Sequence, residues 1–149
     1  MAWVSGSASR TFFVQRPVDE VRDFFFNPER FKEAMSQLES GTQERPDVWR
    51  WVLIPKTELG ITFQGDYTVE YSPETSRSSW RTLEGNMRSS GEVVVRERES
   101  GVEVEYNETL EVSLPVPKIM AKAFGPIVSR EVRHGVGDFL DRAAQLLAT

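Results

Sequence analysis

The chain has 149 residues, of which 39% are hydrophobic and 28% charged, a balance that excludes a disordered polymer and allows a buried core. A formal net charge of −5 without any basic stripe argues against nucleic acid, whose phosphates are bound by clustered Lys and Arg. Zero cysteines and one histidine exclude a disulfide framework and a thiolate metal site.

The opening Met-Ala-Trp-Val-Ser-Gly-Ser has no basic segment followed by an apolar one, so no signal peptide is expected. No apolar run approaches the roughly 20 residues that span a bilayer. The expectation is a cytoplasmic protein with no stable membrane insertion.

Taken in chain order, Ser9 to Gln15 reads as a first strand. Pro17 suits a helix start, and Asp19 and Glu20 suit its positive end. Val18, Val21, Phe24 and Phe25 then share one helical face. Asn27-Pro28 breaks that helix, because the residue before proline avoids the α region. A second short helix follows, with Phe31, Met35 and Leu38 on one side.

From about Ser40 the pattern alternates. Val48 to Pro55 is a strand with Trp49, Trp51 and Leu53 on one face. Ile61 to Tyr71 is the clearest strand: Ile61, Phe63, Gly65, Tyr67, Val69 and Tyr71 take one face and polar residues the other. Residues 72–76 form a turn before the strand Arg77 to Gly85. Asn86 to Gly91 reads as a second turn region, leading to a strand over Glu92 to Glu99. Glu99-Ser100-Gly101 closes a hairpin. Val102 to Leu114 alternates again, with Val102, Val104, Tyr106, Glu108, Leu110 and Val112 on the inner face. Strands joined by short loops predict an antiparallel meander.

Pro115 and Pro117 end the sheet, and Lys118 to Phe124 reads as one or two turns of helix interrupted by Gly125-Pro126. A final helix then runs from Pro126 to about Ala148, roughly 33 Å. Its apolar stripe is Val132, Val136, Phe139, Leu140, Ala143 and Leu147. One domain, residues 1–149, is expected.

This order of strand, two short helices, strands and long helix resembles the START-like SRPBCC superfamily. Arg16-Pro17-Val18-Asp19-Glu20-Val21-Arg22-Asp23-Phe24-Phe25 is similar to that superfamily's first helix, and Asn27-Pro28-Glu29-Arg30-Phe31 to the junction after it. Trp80 to Gly85 with Gly91 resembles the mid-sheet strand pair of the polyketide cyclase/dehydrase-like branch. The helix after Pro117 resembles the C-terminal segment of that branch and of the one named for a carbon monoxide dehydrogenase subunit. The resemblance implies an α+β helix-grip fold: a curved antiparallel sheet of six to seven strands around a long C-terminal helix. It also implies a ligand cavity between sheet and helix, used by carriers and enzymes alike.

His134, the only histidine, lies about 160° from Val136 around the helix, so it is expected in solvent. Without a second His or a Cys, neither a zinc site nor a His-dependent triad is available, and no metal or cofactor is expected. Glu108 sits between Tyr106 and Leu110 on the inner face. Two readings stay open for it: an acid/base or polar anchor inside the cavity, or a carboxylate reached by solvent or paired with Arg96 or Arg81. Tyr67, Tyr71, Trp80 and Tyr106 combine apolar bodies with polar tips, which suits either core packing or a pocket that orients an amphipathic ligand.

The ligand-lining set expected is Phe63, Tyr67, Trp80, Tyr106, Glu108, Met120, Phe124, Val136 and Phe139. The ligand expected is a hydrophobic or amphipathic small molecule of lipid, polyketide or aromatic type. A cyclase/aromatase-type enzyme using the same cavity is the alternative, with Glu108 its candidate catalytic group. A third is an accessory protein docking to a partner or membrane through residues 115–128. Pro115 to Pro126 is expected to form either a movable rim of the pocket or a fixed cap that completes the core, with Ile119, Met120, Ala123 and Phe124 as its apolar set at helical spacing.

Overall fold

The computed structural model describes residues 1–148. β1 (Ala2–Val14) is followed by α1 (Val18–Phe26) and α2 (Pro28–Phe31), with one 3₁₀ turn (Lys32–Ala34) after them. Strands β2 (Leu38–Arg45), β3 (Val48–Leu53), β4 (Lys56–Glu58), β5 (Ile61–Phe63) and β6 (Asp66–Pro73) come next. They lead to β7 (Arg77–Gly85), β8 (Met87–Arg98), β9 (Gly101–Leu114) and α3 (Lys118–Ala148). Seven strands form one antiparallel sheet in the order β1-β9-β8-β7-β6-β3-β2, and β4-β5 is a separate two-stranded ribbon. The expected α+β helix-grip arrangement is present, with α3 packed on the concave face of the sheet through Val128, Val132, Val136, Leu140 and Ala143.

Asn27 does two jobs at the first break. Its extended backbone (φ −115°, ψ 106°) ends α1 before Pro28, and its side-chain oxygen accepts from the Glu29 N–H at 3.1 Å to start α2. Val21, Phe24 and Phe25 are buried as the helical spacing requires. The second helix is shorter than expected: Met35 lies past its end, and Leu38 already opens β2.

Four further expectations are corrected. The first strand begins at Ala2, not Ser9, and pairs with β9 over its whole length. Its Ser/Gly/Ala run looks too small for a strand because α3 lies directly on it. A Cβ on Gly6 would stand 3.0 Å from the Ser129 Cα.

The strand expected over 61–71 breaks at Gln64-Gly65, although its residue faces are those expected. The Asn86 side chain takes over the ladder there, its Oδ1 accepting from the Asp66 N–H at 2.8 Å and its Nδ2 donating to the Gln64 carbonyl at 2.8 Å. With those backbone groups satisfied, β5 can leave the sheet to pair with β4. The turn expected over 86–91 contracts to Asn86 itself, and Met87 to Gly91 belong to β8.

The helix interruption at Gly125-Pro126 is absent: α3 is one helix of 31 residues with Pro126 inside it. An interior proline costs a helix about 3 kcal/mol or more. Here burial of Phe124 and Val128 on either side of Pro126 holds the turn against the sheet.

Candidate ligand-binding cavity

Between α3 and the concave face lies a cavity of about 280 Å³. The inner faces of β3 and β6 to β9 form one wall, and α3 forms the other. Phe25, Phe31 and Met35 close the end beside α1 and α2. The ribbon β4-β5 lies beside Arg130 and Glu131 of α3, away from Phe139, and exposed Lys56 lines the opening there.

At the closed end, five rings touch in a cycle. Centroid distances are 5.7 Å for Phe31–Tyr71, 6.3 Å for Tyr71–Trp80, 5.5 Å for Trp80–Tyr106, 5.8 Å for Tyr106–Phe139 and 6.0 Å for Phe139–Phe31. All but Phe139 come from the sheet side and α2; Phe139 closes the collar from α3. Tyr71 is further fixed by the Trp51 indole, which donates to its hydroxyl at 3.0 Å.

Glu108 is set beside this collar on β9. Tyr106 Oη donates to Glu108 Oε1 at 2.8 Å and Ser89 Oγ donates to Oε2 at 2.7 Å. The Trp80 indole N–H in turn donates to Ser89 Oγ at 2.9 Å. The expected pairing with Arg96 or Arg81 does not occur. Arg96 is on the outer face with Glu103 and Glu105, and Arg81 pairs with Glu70. Burial pushes the Glu108 carboxyl above its ordinary range, only partly offset by the Ser89 and Tyr106 hydrogen bonds. Burial likewise raises the phenols of Tyr67, Tyr71 and Tyr106, with the Glu108 charge adding in each case.

Gly91 makes this geometry fit. It stands between Trp80 and Glu108 in the pairing register. A Cβ there would come within 2.9 Å of the Trp80 ring and 2.1 Å of the Asn107 carbonyl oxygen. A side chain at this position would displace the indole from Ser89.

The opening is held by charge. Lys56 of β4 bridges Glu131 of α3 at 2.7 Å, and Arg130 bridges Glu58 at 3.3 Å. Lys56 beside Glu131 lowers that carboxyl below its ordinary range.

Of the residues expected to line a pocket, Phe63, Tyr67, Trp80, Tyr106, Glu108, Phe124, Val136 and Phe139 face this one cavity. Met120 does not. The unbroken α3 carries its first turn away from the opening, leaving Met120 half exposed and Ile119 85% exposed. Ala123 is exposed too, and only Phe124 of that segment reaches the cavity. His134 is in solvent while Val136, Leu140 and Ala143 are buried, as the helical phase requires. Sequence reasoning missed Ser89 and Gly91, which it assigned to a turn. The apolar run Val93-Val94-Val95 offers no alternation to extend back to them, so the sequence carries no signal that would have found either. Among the described residues, no group of three or more His, Cys, Asp or Glu side chains is placed to hold a metal ion. No described helix is long and apolar enough to cross a membrane.

No family model matches the chain, and comparison with curated proteins finds no match either. Solved structures do match over nearly the whole length. A protein from Thermus thermophilus superposes with a TM-score of 0.69 at 20% identity, covering 97% of both chains. The di-domain ARO/CYC StfQ of the steffimycin biosynthetic pathway gives a TM-score of 0.62 at 10% identity, over 95% of this chain and 50% of that one. The chain has the START-like helix-grip fold. Norcoclaurine synthase from Thalictrum flavum, in complex with dopamine and hydroxybenzaldehyde, shares this START-like fold with a TM-score of 0.63 at 10% identity, over 98% of this chain and 88% of that one. One fold can host many unrelated functions, so function has to be argued from the cavity.

Proposed function

We propose that the protein, acting as one START-like domain, binds a hydrophobic or amphipathic small molecule of lipid, polyketide or aromatic type between the sheet and α3. The observation that carries this reading is a largely apolar cavity with a small polar cluster, Glu108, Ser89 and the Tyr106 hydroxyl, at its inner end and ion-paired side chains at its opening. Ligand sites combine an apolar envelope with a small number of placed polar groups in this way. Its volume of about 280 Å³ lies at the lower edge of roughly 300–1,000 Å³ common for such sites. Native mass spectrometry of the purified protein tests the proposal by detecting a co-purified small molecule. Nile red titration extends the test: Val136→Trp, which fills the cavity from α3, should abolish dye binding while preserving the circular dichroism spectrum. Undiminished dye binding by that variant would place the site elsewhere.

A second reading, a cyclase/aromatase-type enzyme, is favoured by one feature: a raised carboxyl in hydrogen-bond contact with a phenol inside the cavity. Such groups can pass protons to a bound reactant, while the walls hold its reacting ends together. Product formation from a poly-β-ketone chain analogue, lost in Glu108→Gln, tests it.

A further inference from the structure

We propose that the ligand selected by this cavity carries a protonated amine, seated against the Glu108 carboxylate beside the aromatic collar, and that carboxylate-ended ligands with the same apolar body are rejected. The inference rests on the cavity being a ligand site, and it names the chemistry of the ligand's polar end.

The charge arrangement is one-sided. Among the described residues, the other charged groups lining the cavity are Lys56, Glu58 and Glu131, and all three are engaged in ion pairs at the opening. Along α3, Glu131 and Phe139 are eight residues apart, so opening and collar are separated by about 12 Å. Glu108 therefore occupies the inner end without a cation. Ser89 and Tyr106 solvate it but carry no charge. A buried carboxylate in that condition either stays protonated or receives a cation.

The carboxylate also has capacity left. It has about four acceptor positions and receives one hydrogen bond on each oxygen. Glu108 itself lines the cavity, so a ligand can approach the remaining positions from there. An ammonium fits them, because it brings donors and charge together, and N⁺–H···O⁻ bonds are about twice as strong as neutral ones. The ring cycle supplies the rest of the seat. A cation beside Glu108 meets the rings of Trp80 and Tyr106, and aromatic faces attract cations within about 6 Å of their centroids. A carboxylate ligand would put a second negative charge beside the first, and two like charges at that range oppose each other's ionisation.

Titration of Glu108 should control the selection. The ionisable groups facing it are the phenols of Tyr106 on its own strand and of Tyr67 and Tyr71 on β6, all raised by burial and neutral below pH 8. The residues that β7, β8, α2 and the facing part of α3 bring to this end of the cavity, Trp80, Ser89, Phe31, Val136 and Phe139, do not titrate.

Calorimetric titration with octylamine, 1-octanol and octanoate at pH 7.5 tests the proposal, since the three share one apolar body. Octylamine should bind about tenfold tighter than 1-octanol, and octanoate about tenfold weaker, as expected when one charge-assisted contact is gained or opposed. In Glu108→Gln the octylamine-to-1-octanol affinity ratio should collapse from about tenfold to about one, because the amide keeps the shape of the site but not its charge. On the wild type alone, octylamine affinity should rise with pH as Glu108 ionises, and 1-octanol affinity should not. Octanoate binding as tightly as octylamine, an unchanged ratio in Glu108→Gln, or a flat pH profile for the amine each overturns amine selection. The cavity reading survives those results as long as 1-octanol binds. Failure of all three probes to bind overturns both.

Discussion

At the closed end of the cavity, rings from two helices and three strands lock into one another, and the two polar side chains that hold Glu108 are themselves held by neighbours. At the open end, a ribbon of two short strands is tied to α3 by ion pairs between half-exposed side chains. The first arrangement is aromatic and depends on shape. The second is wet and depends on ionic strength. A binding cavity with this contrast keeps a fixed recognition end and an entrance whose closure costs little to undo. Short ribbons are only marginally stable by themselves, which fits the second role.

The contrast can be broken most severely at the collar's support. Trp51 is 1% exposed, stacks on Trp49 at 5.4 Å and holds the Tyr71 hydroxyl. Trp51→Ala should destabilise the fold by about 3–5 kcal/mol, measured as a lowered urea midpoint. A loss near the surface average would mean the collar does not depend on that layer.

Gly91→Ala comes next. Its Cβ meets backbone at Asn107 as well as the Trp80 ring, so repacking should cost about 1–3 kcal/mol. It should also shift the Trp emission spectrum as the indole leaves Ser89. Unchanged emission would show that the register leaves more room than the structure gives.

The pH dependence of Glu108 sharpens the same end. Its folded value is raised above the ordinary 4.5, so folding favours the protonated form. That contribution is complete below 4.5 and is lost as pH rises through the raised folded value. The wild type should therefore lose stability relative to Glu108→Gln over that window, with a constant difference above it. Urea midpoints of both proteins across the pH range check the sign; a difference that moves the other way refutes buried, unpaired Glu108.

The smallest effect belongs to the opening. Lys56→Met removes a half-exposed ion pair and should change stability by only about 0.2–1 kcal/mol, less at high salt. Its signature should be kinetic: faster Nile red release by stopped flow. Release as slow as in the wild type would show that the ribbon is held by its apolar side, through Ile61 and Phe63, and not by charge.

Much of this was legible along the chain. Alternation in 61–71 and 102–112 gave the residues their faces, because a strand's period of two is a local property. Helical spacing placed Val136 inward and His134 outward for the same reason, and Asn27-Pro28 marked the first helix end through local sterics. Tyr106 and Glu108 could be put on one face without any partner strand. What Glu108 bonds could not. Val93, Val94 and Val95 are all buried, so the β8 sequence hides which of its residues face inward. Only the register, with Gly91 opposite Glu108, puts Ser89 within reach and Arg96 on the far side. The small residues of β1 are a strand because α3 covers them, the break at Gln64-Gly65 stands because Asn86 comes back to satisfy it, and Pro126 stays helical because its neighbours are buried. Each of these depends on groups distant in sequence, whose packing and hydrogen bonds outweigh what the local residues prefer.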